Sequence, residues 1–409
     1  MLTQAVILCG GLGTRLGHLT SQTPKPMLPV AGAPFLDIII QETARYGFEE
    51  IVLLAGRFGE QIVARYDGTT RWGAKLKVLV EPAPLGTGGA LRFALEQLQG
   101  EFLLTNGDSW LDTDLARHAA AWAASAGQGW TAQMLLQHMP DVARYGVVDT
   151  DGPRVTAFRE KDPSFAGRPG WINSGIYILR REIVAGLEPG AVLSLEADLL
   201  PAQVAEGTVR AEHAREGSYF IDIGLPETFE RAQTELPRHR RKPALFLDRD
   251  GTLNRDVGYT WRPETLEWMP GAREAIARAN AAGYYVFVVT NQAGVARGYY
   301  PEAAVLGFHR AMQCDLAALG AHIDAIEWCP HHPDGVVEGY ARACHRRKPN
   351  PGMITDLLAQ WPVAAERSFL VGDAVTDVAA AEAAGLRGLR YEGGSLDALV
   401  AAQLTEMEN

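Results

Sequence analysis

Apolar residues in the first 235 positions gather into short, nearly unbroken runs. "AVILCG", "EEIVLLAG", "KLKVLVE" and "EFLLTNGD" predict buried strands, whereas "FLDIIIQETARYGF" spaces its apolar residues as an amphipathic helix does. Strands alternating with helices predict a parallel sheet covered on both faces. The pattern stops at "LPRHRRKP", residues 236–243, where two prolines bracket a solvated basic cluster and predict a linker. It then restarts with "ALFLD", "YYVFVVTNQ", "IDAIEWCP" and "SFLVGD" as strands, and with "GAREAIARANAAG" and "TDVAAAEAAG" as helices. The expected class is α/β, with two doubly wound domains at 1–235 and 244–409. Ligands of such sheets bind beyond the carboxyl ends of the strands, so polar residues after each apolar run become candidates.

Bulk properties narrow the function. The 409 residues suffice for two cores, and 47% hydrophobic with 21% charged residues is an ordinary globular balance. A net charge of −11 disfavours nucleic acid as a partner but leaves room for a local basic pocket. No apolar run reaches the roughly eighteen residues of a membrane span, and no basic leader precedes "MLTQAVILCGGLGTRLG", so no membrane partner and a cytoplasmic location are expected. The four cysteines, Cys9, Cys314, Cys329 and Cys344, are too few for a disulfide scaffold.

The first candidate site opens with "LCGGLGTRLG". Its glycines let backbone N–H groups approach a polyphosphate, and Arg15 adds a cation. Alone, such a turn is as readily structural. In "TPKPMLPVAG" Lys25 stands between two prolines, a rigid mount for a phosphate-binding cation. "PLGTGGAL" offers a second glycine loop, "LLTNGDSW" ends a strand in Asp108, and "SYFIDIGLPETFERA" supplies Asp222 in a similar setting, suited to a hard cation.

With "FREK" and "NSGIYIL" added, this ordered set resembles the sugar-1-phosphate nucleotidylyltransferases over nearly all of residues 1–235. The resemblance implies a Rossmann-like fold. It implies that Gly10, Gly11, Gly13, Thr14 and Arg15 cradle the triphosphate, with Lys25 on the transferred phosphates. Gly86 and Gly88 would face the base, and Asp108 and Asp222 would bind Mg²⁺. Glu160 and Asn173 would hold sugar hydroxyls, and Lys161 the sugar phosphate. Cys9 replaces the family's usual alanine, a small-for-small change.

The second candidate site opens with "PALFLDRDGTLN". Asp248 ends a strand and Asp250 follows two residues later, so one carboxylate can attack phosphorus while the other protonates the leaving oxygen and then deprotonates water. A bare pair of this kind is more often a calcium ligand or a surface turn. "VVTNQAG" adds Thr290 and Asn291, "RRKPNPG" adds Arg347 and Lys348, and "FLVGDAVTDV" adds Asp373 with Asp377 one turn further, a natural Mg²⁺ site. This order resembles the haloacid-dehalogenase-like (HAD-like) phosphatases from residue 244 to about 400. The resemblance implies Asp248 as nucleophile and Asp250 as acid/base. It implies Thr290, Asn291, Arg347 and Lys348 on the substrate, and Mg²⁺ on Asp248, the Asp250 carbonyl and Asp373.

"DRDGTLNRDVGY", "VTNQAGVARGYY" and "CPHHPDG" resemble in particular the heptose-bisphosphate phosphatases, with histidinol-phosphate phosphatases as near relatives. Members of that group often hold a structural Zn²⁺ on a C-x-H and a C-x-C pair. Cys329 and His331 match the first pair, but "ACHRRKP" has Cys344 followed by Arg346 where the last cysteine belongs. Two readings stay open: His345 completes the set, or the site is lost and packing holds the loop.

A phosphatase and a nucleotidylyltransferase on one chain imply consecutive steps. A sugar 1,7-bisphosphate loses its carbon-7 phosphate, and the 1-phosphate is then activated by a nucleoside triphosphate. The expected substrates are a phosphorylated heptose and, by family logic, GTP, giving a GDP-heptose. The alternatives are a different hexose 1-phosphate joined to a histidinol-phosphate-type activity, or a regulatory subunit in which one domain only binds.

Overall fold

The computed structural model describes residues 2–11, 13–159, 165 and 167–408. It divides into two compact units, residues 1–239 and 240–409. The helix Pro226–Arg240 carries Pro237 within it and buries Leu236, so the first part of the segment expected to link the domains is helical.

In the first unit, the parallel strands run Glu101–Asn106, Gln4–Leu8, Glu50–Ala55 and Ala74–Val80, side by side in that order. Their apolar runs are nearly unbroken because both faces are covered. Ala5, Ile7, Ile51 and Leu53 enter one core with Phe35, Ile38 and Ile39 of the helix Phe35–Ala44. Their alternate neighbours Val6, Val52 and Leu54 enter the other, with Ala90 and Leu91 of the helix Gly86–Phe93. The sheet is mixed, reaching ten strands among the described residues. Gly170–Arg180 pairs antiparallel with both Glu101–Asn106 and Ala132–Met139, and its register slips between Asn173 and Tyr177. Chain order reverses beside Gln4–Leu8, where the first glycine loop begins.

The second unit is a five-stranded parallel sheet in the order Ala325–Cys329, Tyr285–Asn291, Ala244–Leu247, Phe369–Gly372, Arg387–Arg390. Leu245, Leu247, Val286, Val288 and Val371 pack against Ile276 and Ala279 of the helix Ala272–Ala281 and against Leu396, Val400 and Leu404. The opposite face is aromatic: Phe246 meets Phe287 at 5.2 Å between ring centroids, and Tyr285 meets Trp361 at 5.2 Å. Here too the first strand is the switch point, so Asp248 and Asp373 leave adjacent strand ends together. No helix among the described residues is long and apolar enough to cross a membrane.

Candidate active sites

A cavity of about 890 Å³ opens over the switch point of the first sheet. Gly10, Gly11, Gly13, Thr14, Arg15, Lys25, Asp108, Asn173 and Asp222 all line it, so most of the residues singled out by sequence converge there. The glycine loop is left-handed at Gly13, φ 60°, and a Cβ there would sit 2.8 Å from Thr20 Cγ2. Thr20 Oγ1 in turn donates to the Gly13 carbonyl at 2.9 Å. Only glycine fits this turn, and its backbone is pinned from behind.

Asp108 and Asp222 are brought together by a short antiparallel ribbon, Ser109–Leu111 with Phe220–Asp222, which pairs Ser109 with Asp222. Lys25 Nζ reaches between them, 2.6 Å from Asp108 Oδ2 and 3.3 Å from Asp222 Oδ1. Burial opposes the charge of Lys25, but the two carboxylates outweigh it and hold its pKa above the ordinary value. Two carboxylates and a lysine at the mouth of a glycine loop make a place where a metal–triphosphate can dock.

Asn173 lies at the register slip, its Oδ1 accepting from the Gly175 N–H at 3.0 Å and its amide donating to Tyr177. Gly86 and Gly88 do not line the cavity. The Gly88 N–H donates to the Leu193 carbonyl at 2.9 Å, and a Cβ on Gly86 would lie 2.5 Å from that same oxygen. These glycines therefore let a helix start pass close under the 191–195 segment. Glu160 and Lys161 lie outside the described residues.

Sequence reasoning passed over Glu81, which follows the strand Ala74–Val80. Its Oε2 accepts from the Leu85 N–H at 3.0 Å, and its Oε1 lies 3.1 Å from where a Gly10 Cβ would be. Burial raises its pKa, opposed by the Leu85 hydrogen bond. The signal was present as "VEPAPLGTGG", an acid at a strand end just before the second glycine loop. Cys9 is a buried thiol whose pKa burial and Asp108 push up, consistent with an inert filler.

The second unit gathers its charges in a drier place. Asp248 is buried; Lys348 Nζ donates to its Oδ1 at 2.5 Å and to the Val289 carbonyl at 2.7 Å, and pairs with Asp377 Oδ1 at 2.7 Å. Burial raises the Asp248 pKa to about 7, with Asp377 and Asp250 adding to the rise and Lys348 opposing it. For Lys348, burial lowers the pKa, but Asp248 and Asp377 together reverse the sign. Asp248, Asp373 and Asp377 offer carboxylate oxygens within 4.8 Å of one another, a set of hard donors that fits a divalent cation. Gly251, at φ 85°, makes this approach possible, since a Cβ there would meet Asp373 Oδ2 at 2.3 Å.

Thr290 is the penultimate residue of the strand Tyr285–Asn291, and its Oγ1 accepts from Gln292 Nε2 at 2.9 Å. Asn291 was expected on phosphate, yet its side chain is occupied otherwise: Oδ1 accepts from the Lys348 N–H and Nδ2 donates to the Lys348 carbonyl, both at 3.1 Å. It clasps the segment that carries Lys348. Arg347 is half-buried and donates to the His331 carbonyl at 3.2 Å.

Cys329, His331 and Cys344 form a second group whose donors lie within 4.8 Å of one another. Two thiols and an imidazole are donors zinc accepts. His345 does not join them: its side chain is exposed, and its carbonyl accepts from the Gly352 N–H at 3.1 Å. Arg346 turns away to pair with Glu327 and, at 3.3 Å, with Asp356.

Residues 4–239 match the nucleotidyl transferase family, and residues 345–406 match the HAD-hydrolase-like family. The second unit is similar to the D-glycero-beta-D-manno-heptose-1,7-bisphosphate 7-phosphatase of Rhodopseudomonas palustris, 51% identical over 168 residues, 41% of this chain and 93% of that protein. The first is similar to the D-glycero-alpha-D-manno-heptose 1-phosphate guanylyltransferase of Campylobacter jejuni, 34% identical over 227 residues, 55% of this chain and 96% of that protein. Among solved structures, HddC from Yersinia pseudotuberculosis superposes with a TM-score of 0.50 at 31% identity, covering 57% of this chain and all of that one.

Proposed function

We propose that this chain, which belongs to the nucleotidyl transferase family in its first unit and to the HAD-like phosphatases in its second, makes a nucleotide-activated heptose in two consecutive steps. The second unit hydrolyses the carbon-7 phosphate of a D-glycero-D-manno-heptose 1,7-bisphosphate. The first joins the resulting 1-phosphate to GMP from GTP and releases diphosphate. The observation that carries this reading is the pairing itself: one unit resembles an enzyme whose product class the other unit's relative takes as substrate. The two relatives are named for opposite anomers, and consecutive use on one chain requires the same anomer at both sites. We assign the α-anomer, because carbon 7 is remote from the anomeric centre and the hydrolysis can tolerate either, whereas transfer occurs at the anomeric phosphate.

In the first unit, Gly10, Gly11, Gly13 and Thr14 present backbone N–H groups to the triphosphate, and Arg15 and Lys25 offset its charge. The sugar-phosphate oxygen attacks the α-phosphorus in line, so no side-chain nucleophile is required. Asn173, with Glu160 by family resemblance, is assigned to the sugar hydroxyls, and Lys161, also by resemblance, to the phosphate of the sugar. GTP is assigned because the relative of the first unit is a guanylyltransferase.

In the second unit, Asp248 attacks phosphorus, Asp250 transfers the protons, and Thr290, Arg347 and Lys348 hold the phosphoryl group and its ester. Mg²⁺, on Asp108 and Asp222 in the first unit and on Asp248, the Asp250 carbonyl and Asp373 in the second, supplies charge neutralisation at the phosphoryl oxygens when bound. Cys329, His331 and Cys344 are assigned to a structural Zn²⁺. We place both steps in the cytoplasm, where nucleoside triphosphates are available.

The test supplies each anomer of the bisphosphate with each nucleoside triphosphate and a pyrophosphatase, and identifies products by mass. GDP-heptose from the α-anomer is expected. Phosphate release without a nucleotide sugar from any triphosphate would sink the transferase assignment.

A further inference from the structure

Arg249, the middle residue of "DRD", is fully buried. An arginine tolerates that only when its charge and its donors are matched. Its Nη2 donates to Asp250 at 2.8 Å on Oδ2 and 2.9 Å on Oδ1, to the Thr260 carbonyl at 2.6 Å and to Gln292 Oε1 at 3.1 Å. Its Nε donates to Asp250 Oδ1 at 3.1 Å, and the guanidinium lies 4.7 Å from the Phe308 ring centroid. Nη1 faces His309 Nε2 at 3.3 Å; burial, then the Arg249 charge, keeps that imidazole neutral, so the nitrogen accepts.

The other side of Asp250 is held as firmly. Gln292 Nε2 donates to Oδ2 at 2.8 Å, and Asn254 Nδ2 donates to Oδ1 at 3.1 Å. The same Gln292 nitrogen donates to Thr290 Oγ1 at 2.9 Å, and Tyr300 donates to Gln292 Oε1 at 2.9 Å. A continuous buried network thus joins the hydroxyl at the phosphoryl-binding strand end to the carboxylate of the acid/base. Buried networks of this kind fix a single geometry because each member would be left unpaired by moving.

We propose that Arg249 and Gln292 are positioning residues that orient the Asp250 carboxylate for proton transfer. The proposal rests on the phosphatase reading. In the first half-reaction an Asp248 oxygen bonds to phosphorus, the phosphorus–oxygen bond to the sugar breaks, and the leaving oxygen takes its electron pair and the Asp250 proton. In the second, water attacks phosphorus and gives its proton to Asp250, and the bond to Asp248 breaks to restore the carboxylate. Orientation of Asp250 matters in the first half-reaction only when the leaving group needs a proton. A sugar alkoxide does; a nitrophenolate does not.

The experiment compares Arg249→Met and Gln292→Leu in the full chain, reading the first-turnover release of the leaving group from the heptose bisphosphate and from p-nitrophenyl phosphate. Heptose 1-phosphate release is expected to fall about 100-fold, and the nitrophenolate burst to change less than about threefold. An equal fall with both esters, or no fall with either, would overturn the proposal. If Arg249→Met loses its fold by circular dichroism, Gln292→Leu decides by the same criterion. Wild type serves as the separate control: its failure to release phosphate from either ester would overturn the phosphatase reading rather than the orientation argument.

Discussion

Both units place a lysine between two aspartates, but they do so in different surroundings. Lys25 is 13% exposed, between Asp108 at 36% and Asp222 at 41%. Lys348 is 3% exposed, between Asp248 at 10% and Asp377 at 2%. The difference follows from the chemistry each site is assigned. Transfer to a sugar phosphate brings its own nucleophile and several charged groups, so the site must be a wide mouth whose charges rearrange around the substrate. Hydrolysis through an aspartyl-phosphate needs a desolvated carboxylate aimed at one small group. There the charge must be matched before substrate arrives, because an unpaired buried carboxylate is costly.

The sharpest way to break this comparison is to remove the nucleophile. Asp248→Asn keeps the shape of the side chain and is expected to cut phosphate release from the bisphosphate by about 10⁴-fold or more. Nucleotide sugar formation from heptose 1-phosphate should be unchanged, because no side chain of the second unit takes part. Loss of both activities together would refute the division of labour. The reciprocal change, Lys25→Met, is expected to lower nucleotidyl transfer by about 10² to 10³-fold, the effect of losing one preorganised electrostatic partner. Phosphate release is its internal control.

How much of this was legible in the sequence depends on whether the relevant contacts are local. The strands of both units were readable because side chains alternating between two cores leave an unbroken apolar run. Asp248 and Asp373 were readable because each ends such a run. The antiparallel half of the first sheet was not, since the slip between Asn173 and Tyr177 breaks the periodicity of its longest strand. The Lys25–Asp222 contact spans 197 positions, and no local spacing announces it. Gly86 and Gly88 sit in a glycine loop expected to face the base, yet their surroundings are set by the Leu193 carbonyl more than a hundred positions away. Arg249 was hidden for a different reason. Arginine is exposed by default, and nothing local announces that Asp250, Thr260, Gln292 and His309 will surround it.

A third test uses pH. The Asp248 pKa of about 7 means that protons compete with a divalent cation for the second site near neutrality. Because the acid's pKa is raised, its metal-binding form is complete only above that value. Apparent Mg²⁺ affinity of the second unit should therefore rise about fivefold from pH 6 to 7 and about twofold more before it levels off, as measured by titration calorimetry of a chain carrying Asp108→Asn and Asp222→Asn, which removes the carboxylates assigned to Mg²⁺ in the first unit. In Asp248→Asn the slope should vanish. A slope that survives the substitution would assign the titration to another group and remove the desolvated nucleophile from the comparison.

The smallest effect concerns the loop that carries Arg347 and Lys348. Three donors, Cys329, His331 and Cys344, stand ready there, while Arg346 is held by Glu327 and Asp356. The loop thus has two anchors, a potential metal cross-link and an ion-pair one. Zinc bound by three residues keeps an open fourth position and is held less tightly than in a closed structural site. Arg346→Cys supplies a thiolate two residues after Cys344 and is expected to raise zinc affinity by more than about tenfold, measured by competition with a chromogenic chelator. The same substitution removes the ion pairs, so the metal-free variant should unfold a few degrees earlier than wild type, and zinc should restore the difference. If neither the wild type nor the variant binds zinc, the three donors do not form a metal site, and the ion pairs alone hold the loop beside Lys348.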